Sequence, residues 1–306
     1  MTTGPNNAPH DSPDPVPTPP GPQTEPFAPE SGGSLPQAAG AITPGSPTID
    51  VQPLGTPSHG PRDPAWNGWD VLRLAILMFV AIVASILGAV FIAHRLLYPQ
   101  ASLSEVALMP LVSITGQAFG YLIVLGYMYV LVTRERGRPD FLTAIHWNWP
   151  GFAGAYLVGG VALSVLLQLL AKYLPVPNHL PIDKFFQTAS EAWVVTICGV
   201  TLFPLMEELF FRGFFYPVLK QRLGLIAAVI VTAFAFALLH GAQLTFAWAP
   251  VFLIFLVGLA LTIVREWRNS VAASLLVHIA YNGFISWAMF TTTGGFHHLE
   301  KLGGQY

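Results

Sequence analysis

Cysteine and charge are both scarce in this sequence. Of its 306 residues only Cys198 is a cysteine, and 10% are charged against 53% that are hydrophobic. A single cysteine excludes an intrachain disulfide and a cysteine-rich metal site. The hydrophobic residues are gathered into long uninterrupted blocks, so the low charge indicates a membrane protein rather than two soluble domains.

Apolar runs and basic residues are both missing from the first 64 residues. This stretch holds 17 of the 27 prolines and six acidic residues, and Arg62 is its only lysine or arginine. Segments such as PDPVPTPPGP cannot form a helix interior or a packed core, so residues 1–64 are predicted to be a disordered, solvated tail. A docking arm for a proline-binding partner is the alternative. Without a basic start and an apolar run, the tail is not a cleavable signal peptide.

The rest of the chain, residues 65–306, is predicted to be an all-α, polytopic bundle of transmembrane helices. A helix needs about 20 apolar residues to cross a hydrocarbon core of ~30 Å. The predicted spans are 71–97, 107–133, 151–173, 189–220, 224–241, 246–264 and 270–291. The fourth is too long for one crossing and contains Pro204, so it is one bent helix or two shorter elements. The sequence therefore predicts seven or eight spans.

Small and aromatic residues suggest how these spans pack. Gly116 and Gly120 lie four residues apart in the second span, and Ala81, Ser85 and Ala89 repeat this spacing in the first. Small residues at that spacing favour close helix packing. Tryptophans before the first and third spans are predicted to be interfacial anchors, and these are Trp66, Trp69, Trp147 and Trp149.

Lysines and arginines in the short loops set the expected orientation. With seven spans, one side carries Arg62, Arg73, Arg134, Arg136, Arg138, Lys220, Arg222, Arg265 and Arg268. The other side carries Arg95, Lys172, Lys184 and Lys301. We therefore expect a multi-pass protein of the cell (plasma) membrane, with its amino-terminal tail in the cytoplasm.

Three ionisable residues interrupt the apolar run LMEELFFRGFF at 205–215. Charges inside a bilayer cost ~2.5–3.5 kcal/mol each on insertion scales and indicate function. Glu208 and Arg212 are four residues apart and share one helix face, so they can neutralise each other. Glu207 lies about 100° around the helix and is left to face a polar cavity, where it could act as a general base. A purely structural ion pair is the alternative, but it gives Glu207 no role.

Helix geometry brings a histidine to the same level. Glu208 lies 16 residues before Gly224, and His240 lies 16 residues after it. If the chain turns near Gly224, an antiparallel helix pair places both about 24 Å from the turn. Gly241 directly follows His240 and is typical of a helix terminus.

A second polar pair lies in the last span. His278 and Asn282 are four residues apart and share one helix face, and Asn282 lies 14 residues after Arg268, or about 21 Å deep. Such a pair alone could serve as interhelical hydrogen-bond contacts. Its depth matches that of the first two sites, which favours an active site. Ser274 lies one turn before His278, but a serine and a histidine on one face of one helix make an unconvincing dyad.

These side chains leave two chemical routes open. Two histidines and a carboxylate, namely His240, His278 and Glu207, could bind a divalent metal such as zinc with an open position for water. Without metal, Glu207 and His240 could take a proton from water while His278 and Asn282 stabilise an oxyanion. Both routes lead to hydrolysis of a carbonyl compound. No HExxH zinc motif and no GxSxG nucleophile motif is present.

Three motifs in order resemble a known family. EELFFR at 207–212, FALLH at 236–240 and HIAYN at 278–282 are similar to the EExxxR, FxxxH and HxxxN motifs of the type II CAAX prenyl endopeptidase and bacteriocin-processing (CPBP, or Abi) family of intramembrane proteases. The resemblance covers 189–291 and implies a protease core there. It implies that Glu207 activates water with His240, that Glu208 and Arg212 support the site, and that His278 and Asn282 hold the oxyanion. Both metal-dependent and metal-free glutamate mechanisms have been argued for this family.

The sequence thus predicts an intramembrane endopeptidase that cuts a membrane-associated peptide or protein, with a prenylated or CAAX-like substrate as one candidate. The expected partners are this substrate and the lipid bilayer, and no nucleic acid is expected. The alternative is a non-catalytic membrane protein, an immunity factor or a transporter, that binds a peptide with the same polar cluster.

Overall fold

Helices account for all the regular secondary structure in the part of the chain that the structure describes. The structure is a computed structural model, and it describes Met1, residues 63–177 and residues 185–304. From Asp63 onward these residues belong to one compact unit. An all-α bundle is therefore confirmed for them. The predicted tail, 1–64, lies almost wholly outside the described residues.

The α-helices are numbered here in chain order. The first five are α1 (Gly68–Leu96), α2 (Leu103–Ala107), α3 (Pro110–Val130), α4 (Phe141–Ala144) and α5 (Ala153–Ala171). The next four are α6 (Ala189–Val200), α7 (Leu202–Glu208), α8 (Tyr216–Leu223) and α9 (Leu225–Leu239). The last two long helices are α10 (Trp248–Arg268) and α11 (Val271–Thr292). Two π-helical turns, Leu131–Glu135 and Leu209–Phe215, extend α3 and join α7 to α8, and 3₁₀ turns cover Gly241–Leu244 and Leu299–Gly304.

Short polar side chains determine where three of the long helices begin. The Asn67 side chain accepts from the amides of Trp69 and Asp70 at the start of α1. Thr188 accepts from the Glu191 amide at the start of α6, and Ser270 accepts from the Ala273 amide at the start of α11. Each side chain satisfies a backbone donor that the first helical turn leaves free.

The long fourth segment is divided rather than continuous. α6 ends at Val200, and Thr201 has φ −118° and ψ −70° before α7 begins. Pro204 explains this break, because its nitrogen cannot donate to the Val200 carbonyl four residues earlier. By length and composition the stretch Ala189–Leu223 still counts as one candidate span.

Six helices of the described residues are long and apolar enough to cross a membrane. The predicted span 224–241 is present as α9, but it has only 15 residues. The predicted count of seven or eight spans is therefore not confirmed. A multi-pass membrane protein fits these helices, while the plasma membrane and the cytoplasmic tail remain predictions.

Glycines let two helix pairs pack closely. A Cβ atom on Gly116 would lie 2.6 Å from Cα of Ile86, and one on Gly120 would lie 2.8 Å from Cα of Ile82. The predicted close packing of the first two spans, α1 and α3, is thus confirmed. On α5, a Cβ atom on Gly160 would lie 2.7 Å from Cβ of Ala280 and nearer still to the Val277 carbonyl. α5 therefore fits against α11 beside His278.

One predicted membrane anchor is wrong. Trp66 is only 2% exposed, its indole N–H donates to the Phe214 carbonyl at 3.0 Å, and its ring centroid lies 4.7 Å from that of Phe214. Trp66 is a core residue because the chain before α1 folds onto the π-helical turn. Trp69 and Trp149 are 66% and 65% exposed, in keeping with an interfacial position.

Candidate active site

Glu208 and Arg212 form a fully buried ion pair. Both side chains are 0% exposed, and Nη1 of Arg212 lies 2.9 Å from Oε1 of Glu208. Nη2 of Arg212 donates to the Gly258 carbonyl of α10 at 3.1 Å, and the guanidinium carbon lies 4.7 Å from the ring centroid of Phe236. A buried charge is costly without partners. The pairing that their spacing predicts is therefore present and is supplemented by a neighbouring helix.

Two groups of α11 also donate to Glu208. The Ser274 hydroxyl donates to Oε2 at 2.6 Å, and Nδ1 of His278 lies 2.9 Å from Oε1. An ionised carboxylate can only accept hydrogen bonds, so Nδ1 of His278 is the donor. Glu208 therefore joins α7 to α11 and fixes the plane of the His278 ring.

Glu207 lies between the two histidines. Its Oε1 is 3.6 Å from Nε2 of His240, and its Oε2 is 3.7 Å from Nε2 of His278. Its side chain is 18% exposed, whereas that of Glu208 is 0% exposed. Both separations exceed a direct hydrogen bond but suit a water that contacts the carboxylate and a ring nitrogen at about 2.8 Å each. Of the two adjacent carboxylates, Glu207 is the one left accessible.

His240 is held by the helix that carries it. Its Nδ1 lies 2.9 Å from the Phe236 carbonyl, one turn earlier, and its ring centroid is 4.8 Å from that of Phe236. Phe236 also contacts His278, with ring centroids 5.8 Å apart. The phenylalanine of the FALLH motif thus packs against both imidazoles.

Asn282 points to a different element. Its Nδ2 donates to the Gly199 carbonyl of α6 at 2.8 Å. This carbonyl lies next to the end of α6, where the helix leaves backbone oxygens unpaired. One hydrogen of the amide is thus used to hold α6 against α11.

Three parts of the chain bring Glu207, His240 and His278 together. Gly224, with φ 78°, makes the predicted turn between α8 and α9. This turn returns the chain so that His240 reaches Glu207. His278, on α11, is the third of these residues and also lies next to Glu207.

A comparison with known families agrees with this arrangement. Residues 189–284 match the family model described as Type II CAAX prenyl endopeptidase Rce1-like, over 96 of the chain's 306 residues. The matched family is a protease family. The resemblance predicted from the three motifs is confirmed, and it supports a CAAX-type intramembrane endopeptidase in general. No curated protein and no solved structure matches the chain.

Nδ1 of the two histidines in this protease-like core is hydrogen-bonded to different acceptors. The Phe236 carbonyl accepts from Nδ1 of His240, so in the neutral ring Nε2 carries a lone pair. His278 also has its proton on Nδ1, but there the acceptor is the carboxylate of Glu208. The two histidines thus differ in what holds Nδ1, a backbone carbonyl for His240 and a carboxylate for His278, while Nε2 of both is directed towards Glu207.

The three residues predicted as metal ligands share some features of a site for a divalent ion. Both histidines direct Nε2 towards Glu207, with Nδ1 bonded to another group, as ligating histidines usually do. Nevertheless, the described residues contain no group of three His, Cys, Asp or Glu side chains that could hold a metal ion. The geometry present does not fit a three-ligand zinc site, and the metal site at Glu207, His240 and His278 stays a prediction.

Two residues that support the site are not among the predicted site residues. Ser274 bonds to Glu208, whereas its spacing in the sequence suggests only an unconvincing dyad with His278. Arg265 is predicted to be a loop charge, yet it is 3% exposed and its Nε donates to the Arg212 carbonyl at 3.2 Å. The only sequence signal for Ser274 is its place four residues before His278, on the same helix face.

Proposed function

We propose that this protein is an intramembrane endopeptidase that hydrolyses a peptide bond of a membrane-associated peptide or protein with water activated by Glu207 and His240. The observation that carries this proposal is the position of Glu207, within 3.6 Å and 3.7 Å of two imidazole nitrogens. A prenylated or CAAX-like peptide is the first substrate to test, since the matched family acts on that class.

The reaction begins with a water beside Glu207. The carboxylate of Glu207 takes one proton from it, with Nε2 of His240 as the second acceptor, and the remaining hydroxide attacks the peptide carbonyl carbon. The carbonyl oxygen becomes an oxyanion. We assign the stabilisation of this oxyanion to Nε2–H of His278 and to the amide hydrogen of Asn282 that Gly199 does not use.

Collapse of this intermediate breaks the carbon–nitrogen bond. The proton held by Glu207 passes to the leaving nitrogen, which departs as an amine. Nε2 of His240 accepts the second water proton and releases it to the amine or to solvent, so that the other product is a carboxylate. Glu208 and Arg212 do not contact the reacting atoms in this scheme. They keep the His278 ring in place.

A single substitution separates this enzyme from a non-catalytic peptide-binding protein. Glu207→Gln keeps the size of the side chain but removes the base. We expect the purified variant to bind a quenched fluorescent, farnesylated CAAX peptide without cleaving it. The matched control is Glu105→Gln, at an exposed capping position where glutamine also functions. If Glu207→Gln cleaves the peptide as fast as the parent protein, the proposal is wrong.

The natural substrate is sought with the same pair of proteins. Membrane peptides are compared between cells that carry the parent protein and cells that carry Glu207→Gln. Peptides that accumulate uncut only with the variant are substrates. If the two sets are identical and the farnesylated peptide is also uncut by the parent protein, a peptide-binding role replaces the protease.

Metal dependence is tested separately. The metal content of the purified protein is measured by mass spectrometry before and after chelation, together with cleavage of the probe peptide. The mechanism with Glu207 as base predicts that cleavage survives chelation. Loss of cleavage that returns on addition of zinc would instead assign Glu207, His240 and His278 as ligands.

A further inference from the structure

The π-helical turn after Glu208 leaves a backbone carbonyl without a helical partner. The amide of Tyr216 donates to the carbonyl of Phe211, five residues earlier. The next bond of this pattern would join residue 217 to the carbonyl of Arg212. Residue 217 is a proline, which has no N–H to donate. A buried carbonyl left in this way is costly.

Arg265 supplies the missing donor from another helix. Its Nε donates to the Arg212 carbonyl at 3.2 Å in a buried contact, and its Nη1 donates to Oδ1 of Asn269 at 2.9 Å. The residue is only 3% exposed, although it lies in the last turn of α10. A charge that serves only to orient the protein in the membrane would lie in water, so the burial of Arg265 needs another reason.

α10 holds Arg212 at two points. The Gly258 carbonyl accepts from Nη2 of the Arg212 side chain at 3.1 Å, and Arg265, two helical turns later, bonds to the Arg212 main chain. Arg212 cannot move relative to α10 without breaking both contacts. Because Arg212 pairs with Glu208, and Glu208 accepts from Nδ1 of His278, the position of the imidazole depends on this anchorage.

We propose that Arg265 is a positioning residue for the hydrolytic site, which replaces the N–H that Pro217 lacks and thereby fixes the Arg212–Glu208 pair that orients His278. Arg265 acts through Arg212 and contacts no reacting atom. Its effect on turnover rests on the proposed function. Its effect on hydrogen bonding within 209–216 is independent of any activity.

The test is a double-mutant cycle between Arg265 and Pro217. Arg265→Met removes the donor, and Pro217→Ala restores a backbone N–H that can reach the Arg212 carbonyl. The matched control is Arg268→Met, which removes an exposed charge one turn later on the same helix. Its guanidinium carbon lies 5.8 Å from the Trp267 ring centroid.

Two quantities are measured on the four proteins of the cycle and the control. The first is cleavage of the farnesylated probe peptide, with kcat and KM separated. The second is hydrogen exchange of amides in 209–216 in detergent. We expect Arg265→Met to lower kcat by about 10- to 100-fold with little change in KM, and to speed exchange in this segment. Arg268→Met should change neither quantity.

The decisive comparison is made in the Pro217→Ala background. In that background, Arg265→Met should lower kcat by less than threefold and leave hydrogen exchange in 209–216 unchanged. If Arg265→Met does not fold by itself, recovery of folded protein in the double variant gives the same support. An equal loss in both backgrounds overturns the proposal. If no variant and no parent protein cuts the peptide, the exchange data alone decide on Arg265, and the failure belongs to the proposed function.

Discussion

Nδ1 of His278 lies 2.9 Å from Oε1 of Glu208, 70 residues away in the chain. The same oxygen accepts from Arg212, also at 2.9 Å. Glu208 therefore does more than neutralise Arg212 within one helix. It connects the arginine of the first motif to the histidine of the third, and Glu207 is the carboxylate that remains partly exposed.

Loss of the Glu208 charge should destabilise the protein. Glu208→Gln leaves Arg212 charged and without its anion in a fully buried place, which costs about 3–5 kcal/mol. We expect a lower yield and a lower thermal unfolding temperature in detergent. Glu207→Gln is the control, since Glu207 is partly exposed and does not hold Arg212. Equal unfolding temperatures for the two variants would contradict the structural role of Glu208.

Removal of the Ser274 hydroxyl should reduce turnover. Ser274→Ala leaves Oε2 of Glu208 without its donor, and the carboxylate then loses one of the contacts that fix it for His278. We expect kcat for the probe peptide to fall by about tenfold with KM nearly unchanged. Ser274→Thr, which keeps the hydroxyl, should recover part of the loss if its added methyl group fits.

The control for Ser274 is on the same helix. Thr291→Ala removes an exposed hydroxyl that bonds only to carbonyls of its own helix, and it should leave kcat unchanged. A similar loss in both variants would mean that α11 is merely destabilised.

Close packing at Gly160 should be essential for the position of α11. Gly160→Ala places a methyl group against Val277 and Ala280, where too little space exists. Overpacking of this kind costs about 1–3 kcal/mol, and we expect a lower unfolding temperature together with slower cleavage. Gly159→Ala is a matched control, because nothing lies within 4 Å of a Cβ atom there. The prediction fails if the two alanine variants behave alike.

The indole N–H of Trp66 should stabilise the π-helical turn. Trp66→Phe keeps an aromatic ring but removes the donor to the Phe214 carbonyl. The loss should lower the free energy of unfolding by about 1–3 kcal/mol, as expected for a buried acceptor left without a partner. Trp69→Phe, at a position that is 66% exposed, should have almost no effect on unfolding in detergent. If Trp66→Phe is equally harmless, Trp66 acts only through its ring.

Local spacing was sufficient to predict much of the site. Four-residue intervals placed Glu208 with Arg212 on one face, and equal distances from Gly224 placed His240 at the level of the glutamates. These relations depend only on the rise and turn of a helix. The chemical roles of Glu207, Glu208, Arg212, His240, His278 and Asn282 remain predictions until the variants are measured.

Contacts between distant helices could not be read from the sequence in this way. The bond from Arg265 to the Arg212 carbonyl depends on how α10 packs, and a basic residue at a helix end also fits an orienting charge. Trp66 is a similar case. A tryptophan before a span can lie at the membrane interface or in the protein core, and the sequence alone does not distinguish the two positions. The span count depends on α9, because the predicted span 224–241 includes Gly224, His240 and Gly241, which lie outside the 15 residues of the helix.

The length of α9 bears on how water enters the membrane. Its 15 residues rise about 22 Å, less than the ~30 Å of hydrocarbon in a bilayer. Lys220 and Arg222 precede the helix and favour a polar surface at its start, so the shortfall falls at its other end, next to His240. If α9 crosses a bilayer, local thinning of the bilayer would relieve this mismatch. Thinning beside His240 would shorten the path by which a water molecule reaches Glu207.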